Sequence, residues 1–152
     1  MHYKDLSAYS YKLLKPIPTI LNIGWLNSKN NFKQGNIQAN ILKKLKDIAI
    51  GNNTYNANIN KIRGIMPCNL CSVRNIFIEN NTGKYYLGMT EILIPSENKK
   101  YYFSAPSMII HYIEEHNYLP DESFLKAILA IDLNMEYSGD AIFKHLLEKS
   151  RS

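Results

Sequence analysis

The change from strand-type to helix-type patterning falls within one run, Ser104-Ala105-Pro106-Ser107-Met108-Ile109-Ile110-His111-Tyr112-Ile113-Glu114-Glu115-His116-Asn117-Tyr118-Leu119-Pro120. Because proline is tolerated in the first turn of a helix, Pro106 predicts a helix over about 105–117, with Ser104 as its N-cap. Asn117 is suited to end this helix, because asparagine adopts the left-handed conformation more readily than most residues. The run therefore marks the start of a helical C-terminal half.

Three strands are predicted before this helix, at about 73–79, 84–94 and 99–103. The turns between them are Asn80-Asn81-Thr82-Gly83 and Ser96-Glu97-Asn98-Lys99, so the three strands are expected to form an antiparallel meander. Two earlier segments, 19–26 and 55–63, also have strand-type patterns, and the single tryptophan, Trp25, is expected to be buried. Ile92 and Ile94 of the meander should be buried against Ile109 and Ile113 of the helix.

Three further helices complete the prediction. One covers about 37–50, with Asn36 as its N-cap and Gly51 as its stop. Another opens at Pro120-Asp121-Glu122, and the last is capped by Ser138. Strands followed by helices predict an α+β fold, with an antiparallel sheet of about four to five strands packed against helices and a mainly helical C-terminal half.

Composition indicates a single globular domain over residues 1–152, with a net charge of +5. A solvated basic surface accounts for that charge, although an acidic partner or nucleic acid would also match it. The lysines are scattered, and only Lys43, Lys44 and Lys46 cluster. The polar N-terminus lacks the apolar segment of a signal peptide, and every apolar stretch is too short to span a membrane. We therefore expect a cytoplasmic protein with no membrane partner.

The two cysteines, Cys68 and Cys71, are three residues apart. In a reducing compartment this spacing indicates metal or redox chemistry more than a structural disulfide. Together with His111 and His116, the two cysteines can complete a tetrahedral zinc site. A reduced structural pair and a redox-active disulfide remain alternatives. The redox alternative is the weakest, because such a motif normally lies at a strand-to-helix junction and strands follow here.

The histidine spacing sets a condition on that zinc site. Five residues on a helix correspond to a rotation of about 140°, so His111 and His116 face the same side and can bind one ion only if the helix ends near His116. His111 lies in mid-helix and is expected to be buried and structural, with its N–H partnered by a metal's second shell, a backbone carbonyl or Glu91. Replacing His111 by alanine should then cost about 1–3 kcal/mol.

Catalytic motifs are not found elsewhere in the sequence. It contains no Gly-x-Ser-x-Gly, no His-Glu-x-x-His, no phosphate loop and no dinucleotide fingerprint. Glu91 lies among apolar residues of a strand, where a buried, hydrogen-bonded structural carboxylate is favoured over a catalytic one. We therefore predict a protein that is not an enzyme; an enzyme using Glu91 and the histidines is the least favoured class.

A set of motif residues runs through much of the chain. Downstream they form a Gly-x-x-Glu-Ile strand, then Ala-Pro-x-x-Ile-x-His-Tyr, then His-x-Tyr-x-Pro, at Gly88, Glu91, Ile92, Tyr102, Ala105, Pro106, Ile109, His111, Tyr112, His116, Tyr118, Pro120 and Phe124. Upstream they form a Gly-Trp-Leu block and a cysteine block, at Gly24, Trp25, Leu26, Phe32, Gly35, Arg63, Gly64, Cys68, Leu70 and Cys71. This pattern resembles an uncharacterised family of small bacterial proteins over about residues 3–130.

Two positions depart from the family pattern. Met66 stands where the family has a histidine, and Asp121 stands where it has a second proline. The missing histidine makes His111 and His116 more important for any metal site. The resemblance implies no established activity, but such proteins are associated with toxin–immunity gene neighbourhoods.

Two functions are carried forward. The first is a non-enzymatic, bacterial immunity-type protein that binds and neutralises a cognate protein toxin with an acidic surface. The eleven tyrosines suit this role, because tyrosine is enriched at interfaces. The alternative is a zinc-stabilised nucleic-acid-binding module, which the basic charge permits without specifying it.

Overall fold

A five-stranded, mostly antiparallel sheet organises the part of the chain that the computed structural model describes, residues 2–11, 13, 15–81 and 83–151. The strands are β1 (Ala8–Tyr9), β2 (Ile17–Asn22), β3 (Tyr55–Asn56), β4 (Asn58–Ile59), β5 (Phe77–Asn80), β6 (Gly83–Tyr86), β7 (Glu91–Pro95), β8 (Tyr102–Pro106) and β9 (Tyr137–Ser138). The helices are α1 (Ala39–Ile50), α2 (Ile109–His116), α3 (Glu122–Ala130) and α4 (Gly139–Arg151). This confirms the predicted α+β class and the helical C-terminus.

The strand order of the central sheet is β1-β2-β8-β7-β4. The β7–β8 hairpin was predicted, and its turn is closed by a hydrogen bond from the Lys99 N–H to the Ser96 carbonyl oxygen, 2.9 Å. The β2–β8 pair is parallel, with Leu21 opposite Phe103. This parallel pairing was not expected. Local sequence patterns indicate turns and buried faces of strands, but they do not show which strand from a distant part of the chain pairs with which.

The prediction of one three-strand meander is wrong, because the predicted strand 84–94 is divided into β6 and β7. β5 and β6 form a separate two-stranded hairpin, and the chain turns at residues 87–90 before β7 enters the central sheet. The turn depends on Gly88, whose φ of +87° is a conformation that side-chain-bearing residues rarely adopt. Thr82, in the predicted turn between β5 and β6, lies outside the described residues.

The predicted start of α2 is also wrong. Ser104 and Pro106 belong to β8, where they lie opposite Leu93 and Glu91 of β7, and the helix begins only at Ile109. Proline has a fixed φ that suits the end of a strand as well as the first turn of a helix, so the local signal was ambiguous.

The other helix boundaries follow the prediction more closely. α1 begins after Gln38 rather than Asn36, and it ends at Gly51 as expected. Ser138 caps α4 as predicted, because its hydroxyl oxygen accepts a hydrogen bond from the Ala141 N–H, 3.2 Å. Among the helices described here, none combines the length and the apolar character needed to cross a bilayer.

The central sheet is buried on both faces. Ile92 and Ile94 belong to one apolar cluster together with Ile109 and Ile113, which confirms the predicted burial of all four. Leu93 points to the opposite face, into a second cluster formed with residues of β1, β2 and α4. Alternation along a strand explains this split. The sheet thus holds α1–α3 on one side and α4 on the other.

The second cluster depends on α4, and Phe143→Ala should test this. Phe143 packs edge-to-face on Tyr9, with ring centroids 5.7 Å apart. Losing a buried aromatic side chain leaves a cavity, so we expect the free energy of unfolding to fall by about 3 kcal/mol. Urea denaturation measures this change, and Lys144→Ala, at an exposed position of the same helix, is the matched control. Equal midpoints for the two variants would contradict the proposed packing.

Candidate metal centre

The four predicted metal-binding side chains meet in space. The ligand atoms of Cys68, Cys71, His111 and His116 all lie within 4.8 Å of one another. The Cys68 Sγ lies 3.4 Å from the His116 Nε2, and the Cys71 Sγ lies 3.4 Å from the His111 Nε2. The cysteines come from the turn at residues 66–73, called the cysteine turn below, and the histidines come from α2.

These distances fit a tetrahedral metal ion. With zinc–sulfur and zinc–nitrogen bonds of about 2.3 and 2.0–2.1 Å, neighbouring ligand atoms of a tetrahedron lie about 3.3–3.8 Å apart. Both 3.4 Å pairs fall within that range. The largest separation, 4.8 Å, requires a contraction of about 1 Å. The four residues can therefore hold a metal ion, and a set of two sulfurs and two nitrogens is compatible with zinc.

The end of α2 brings the two histidines together, as the spacing argument required. The helix stops at His116, and Asn117 takes a left-handed φ of +59°. The Tyr118 N–H then donates to the Tyr112 carbonyl oxygen, 3.1 Å, which closes the helix C-terminus. Because His116 lies at the last helical position, its ring can turn toward His111, with ring centroids 5.0 Å apart.

The cysteine turn is closed by its own backbone. The Ser72 N–H donates to the Cys68 carbonyl oxygen, 2.9 Å, and the Cys68 N–H donates to the Val73 carbonyl oxygen, 2.9 Å. The Leu70 N–H points at the Cys68 Sγ, 3.3 Å away. A backbone amide directed at a cysteine sulfur stabilises the thiolate, the form that binds metal.

The electrostatics of the site suit a metal centre. Burial lowers the pKa of His111, and neighbouring His116 lowers it further, so His111 is held as the neutral imidazole that a metal requires. Burial raises the pKa of the Cys68 thiol, while backbone amides of Leu70 and Cys71 oppose that rise. A bound cation would displace the thiol proton outright.

The cysteine turn is tied to the rest of the fold on two sides. The Asn69 side-chain amide donates to the Leu26 carbonyl oxygen, 3.1 Å, and the Met66 N–H donates to the Gly88 carbonyl oxygen, 2.9 Å. Met66, at the position where a histidine was expected in the family pattern, is 57% exposed and is not among the four clustered residues. The site is therefore complete in this chain without a ligand at position 66.

A family model described as a domain of unknown function, DUF7919, matches residues 1–129. The chain belongs to the DUF7919 family. Its membership of an uncharacterised family was expected, whereas the motifs and the toxin association remain predictions. No curated protein and no solved structure matches the chain. The DUF7919 match contains all four clustered residues and stops before α4, the helix that covers the second face of the sheet.

Glu91 is buried and hydrogen-bonded in this DUF7919 protein, as its apolar neighbours predicted, and its structural role remains a prediction. It is 3% exposed, and its oxygens accept hydrogen bonds from the Tyr9 hydroxyl at 2.8 Å, the Asn60 side-chain amide at 2.8 Å and the Ser104 hydroxyl at 3.1 Å. Glu91 was one of three suggested partners for His111, and the structure instead places the Cys71 sulfur beside that ring. Tyr9 and Asn60 were not predicted as hydrogen-bond partners of Glu91, because they lie 82 and 31 residues away from it in sequence.

His111 should prove structural, and a pair of variants can show it. Its side chain is 8% exposed and touches the Cys71 sulfur. In zinc-free protein, we expect His111→Ala to lower the free energy of unfolding by about 1–3 kcal/mol, and His111→Asn to cost less because an amide can keep one hydrogen bond. Thermal melts compare the two, with His145→Ala, at an exposed position of α4, as the control. Unchanged melting with lost partner binding would instead make His111 a contact residue.

Proposed function

We propose that this DUF7919 protein is a non-enzymatic binding protein whose structure is held by zinc at Cys68, Cys71, His111 and His116. The observation that carries the proposal is the convergence of four protein ligands on one centre. Catalytic zinc normally has three protein ligands and keeps the fourth position for water or substrate, whereas structural zinc is closed by four. A closed Cys2His2 set supports a structural role.

The partner we propose is a protein, namely a cognate toxin that this immunity-type protein neutralises by covering its active site. Three exposed apolar side chains, Met66, Val73 and Phe77, lie on the segment that contains both cysteines. Methionine and phenylalanine are enriched at protein interfaces, and three exposed apolar side chains within twelve residues of sequence make this segment a candidate contact surface. A metal that orders this segment would also order the surface that it presents.

The immunity proposal expects a neighbouring gene to encode the toxin, and co-expression with that toxin domain tests it. We expect cells producing the toxin domain alone to die, and cells producing both proteins to survive through a direct complex that calorimetry can measure. Val73→Glu should weaken that complex, and Leu129→Glu, at an exposed apolar position of α3, is the matched control. Full toxicity in the presence of the folded protein would refute this function.

A second candidate, a zinc-stabilised nucleic-acid module, is favoured by one groove. Lys61 and Lys84 line it together with four asparagines, and no described lining residue is acidic. The Lys84 Nζ lies over the Phe77 ring, 3.9 Å from its centroid, which presents a cation and an exposed aromatic together. Lysines that follow a phosphate backbone and aromatics that stack on bases are the elements of single-strand binding.

A salt titration separates the two functions. For the nucleic-acid candidate we expect an oligonucleotide to bind with a dissociation constant of roughly 1–100 μM and a steep salt slope, and Lys84→Ala to reduce that slope by about one. Lys126→Ala, on α3, provides a control of equal charge change. Salt-independent or undetectable binding would rule out the module and leave the protein-binding proposal in place.

A further inference from the structure

The two cysteines of the candidate metal centre differ in their access to solvent. Cys68 is 1% exposed, whereas Cys71 is an exposed residue of the cysteine turn. Of the two histidines, His111 is also buried and His116 is half-buried. A small solute that approaches from solvent can therefore reach Cys71 more readily than Cys68.

The two sulfurs are close enough to be joined to each other. The ligand atoms of the centre all lie within 4.8 Å of one another, so the two Sγ atoms are separated by no more than that distance. A disulfide requires about 2.05 Å between its sulfurs, so the pair would have to approach by at most about 2.8 Å. Both cysteines are free, and the chain contains no third one. Within the chain, each cysteine is therefore the other's one possible disulfide partner.

The same two sulfurs supply all of the negative charge that the four residues offer to a metal. Zinc is bound by thiolates and neutral imidazoles, so Cys68 and Cys71 each contribute one negative charge, while His111 and His116 contribute none. A disulfide removes both charges and both thiolate donors. The two imidazoles that remain bind a divalent cation far more weakly than the full set does. The metal-bound state and the disulfide state therefore exclude each other.

We propose that Cys71 is a site of oxidation by peroxides, and that the Cys68–Cys71 disulfide formed there releases the metal and weakens partner binding. The proposal rests on the zinc-held binding function proposed above and names its regulation. A thioredoxin-type disulfide passes electrons between substrates. This pair instead is reduced and metal-bound at rest, and it reacts when an oxidant is present.

The reaction balances with hydrogen peroxide as the oxidant. The Cys71 thiolate attacks one peroxide oxygen, an S–O bond forms, the O–O bond breaks, and the released hydroxide takes up a proton to become water. The Cys68 thiolate then attacks the Cys71 sulfur, an S–S bond forms, and the S–O bond breaks with release of a second hydroxide, which is also protonated. Each thiolate loses one electron, the peroxide gains two, and both protons come from solvent.

Oxidation should change the surface that we propose to meet the partner. The cysteine turn keeps its contacts from Asn69 to Leu26 and from Met66 to Gly88, but it loses the metal link to α2. The exposed Met66 and Val73 lie on this turn and are then no longer held in one arrangement. Because a preorganised surface binds more tightly than a mobile one, we expect the oxidised protein to bind its partner about tenfold or more weakly.

Zinc release can be followed directly in the reduced, zinc-loaded protein. Hydrogen peroxide is added in the presence of a chromophoric chelator, and mass spectrometry counts the free thiols. We expect one disulfide for each zinc ion released, release about tenfold or more faster than without peroxide, and recovery of the bound ion after dithiothreitol and zinc are added. Zinc retained while both thiols remain free, or zinc lost without a disulfide, would overturn the proposal.

Methionine oxidation is a separate event that the same spectra resolve. Met66 and Met135 are both 57% exposed and can also react with peroxide. A sulfoxide adds one oxygen atom, whereas the disulfide removes two hydrogen atoms. Diamide oxidises thiols and spares thioethers, so it should release zinc to the same extent as peroxide. Zinc that stays bound after diamide has formed the disulfide would overturn the proposal.

Two matched variants test which cysteine reacts first. In zinc-free protein, Cys68→Ser leaves Cys71 without a disulfide partner, and Cys71→Ser does the same for Cys68. Dimedone labels sulfenic acid, and after peroxide treatment it should label Cys71 about fivefold or more faster than Cys68, because Cys71 is exposed. Circular dichroism shows whether both variants have folded, and limited alkylation of the zinc-free wild type makes the same comparison without a substitution. Equal alkylation of the two cysteines in the wild type would overturn the assignment to Cys71.

The proposed function and its regulation can fail separately. Disulfide formation and zinc release need no toxin, so their occurrence in a protein that gives no protection would refute the immunity function and leave the oxidation chemistry in place. A toxin complex with the same affinity before and after disulfide formation, measured by calorimetry, would refute the switch alone.

Discussion

Zinc removal is expected to lower the free energy of unfolding by about 4 kcal/mol when free zinc stands 1,000-fold above its dissociation constant, because a ligand that binds only the folded state stabilises it by mass action. The proposed ion would join the cysteine turn to α2, where His111 and His116 lie. Cys68 is 1% exposed, so removal of the ion would leave its sulfur in a buried place that water does not solvate.

Metal analysis and urea denaturation measure this effect. Chelator-free protein should contain one zinc ion per chain, and Cys68→Ser should lose both the ion and the zinc-dependent stability. Val73→Ala lies on the same turn, removes an exposed apolar side chain and keeps all four ligands, so it is the matched control. Zinc content near zero in normally folded protein would contradict the proposed metal centre.

The four residues of the candidate metal site could be predicted from the sequence because their chemistry is restrictive. Two cysteines three residues apart need two further ligands, and the histidines of the helical run met the spacing condition only if that helix ended near His116. Asn117 supplied the expected stop. The sequence did not show how the fold places the cysteine turn beside α2. This placement depends on the contact of Asn69 with Leu26 and on that of Gly88 with Met66.

The fold class was predictable, but the sheet connections were not. Apolar alternation identified Ile92 and Ile94 as core residues, and amphipathic periods identified the helices. The parallel placement of β2 beside β8 depends on contacts between residues about 80 positions apart, as the Trp25–Ser104 hydrogen bond illustrates. The start of α2 was misplaced for a different reason, since Pro106 fits the end of a strand and the first turn of a helix equally well.

The backbone conformation at Gly88 affects the position of the cysteine turn, and so the candidate metal site. Its φ of +87° is strained for any residue with a side chain, and a Cβ placed there would lie 2.4 Å from the Met66 carbonyl oxygen. That contact is with backbone, so no side-chain rotation can relieve it. Alanine at position 88 must therefore push the chain at Met66 outward, two residues before Cys68.

Gly88→Ala should accordingly weaken both the fold and the metal site. We expect the free energy of unfolding to fall by about 3 kcal/mol, from the strained backbone and the overlap together, and the zinc affinity to fall in the same variant. Gly64→Ala is the matched control, because its φ is not positive and a Cβ there meets nothing within 4 Å. Competition with a chromophoric chelator measures the affinity, and urea denaturation measures the stability. If both variants retain wild-type zinc affinity, the close approach of Gly88 to Met66 does not position the cysteine turn, and the metal site would have to be held by the Asn69–Leu26 contact instead.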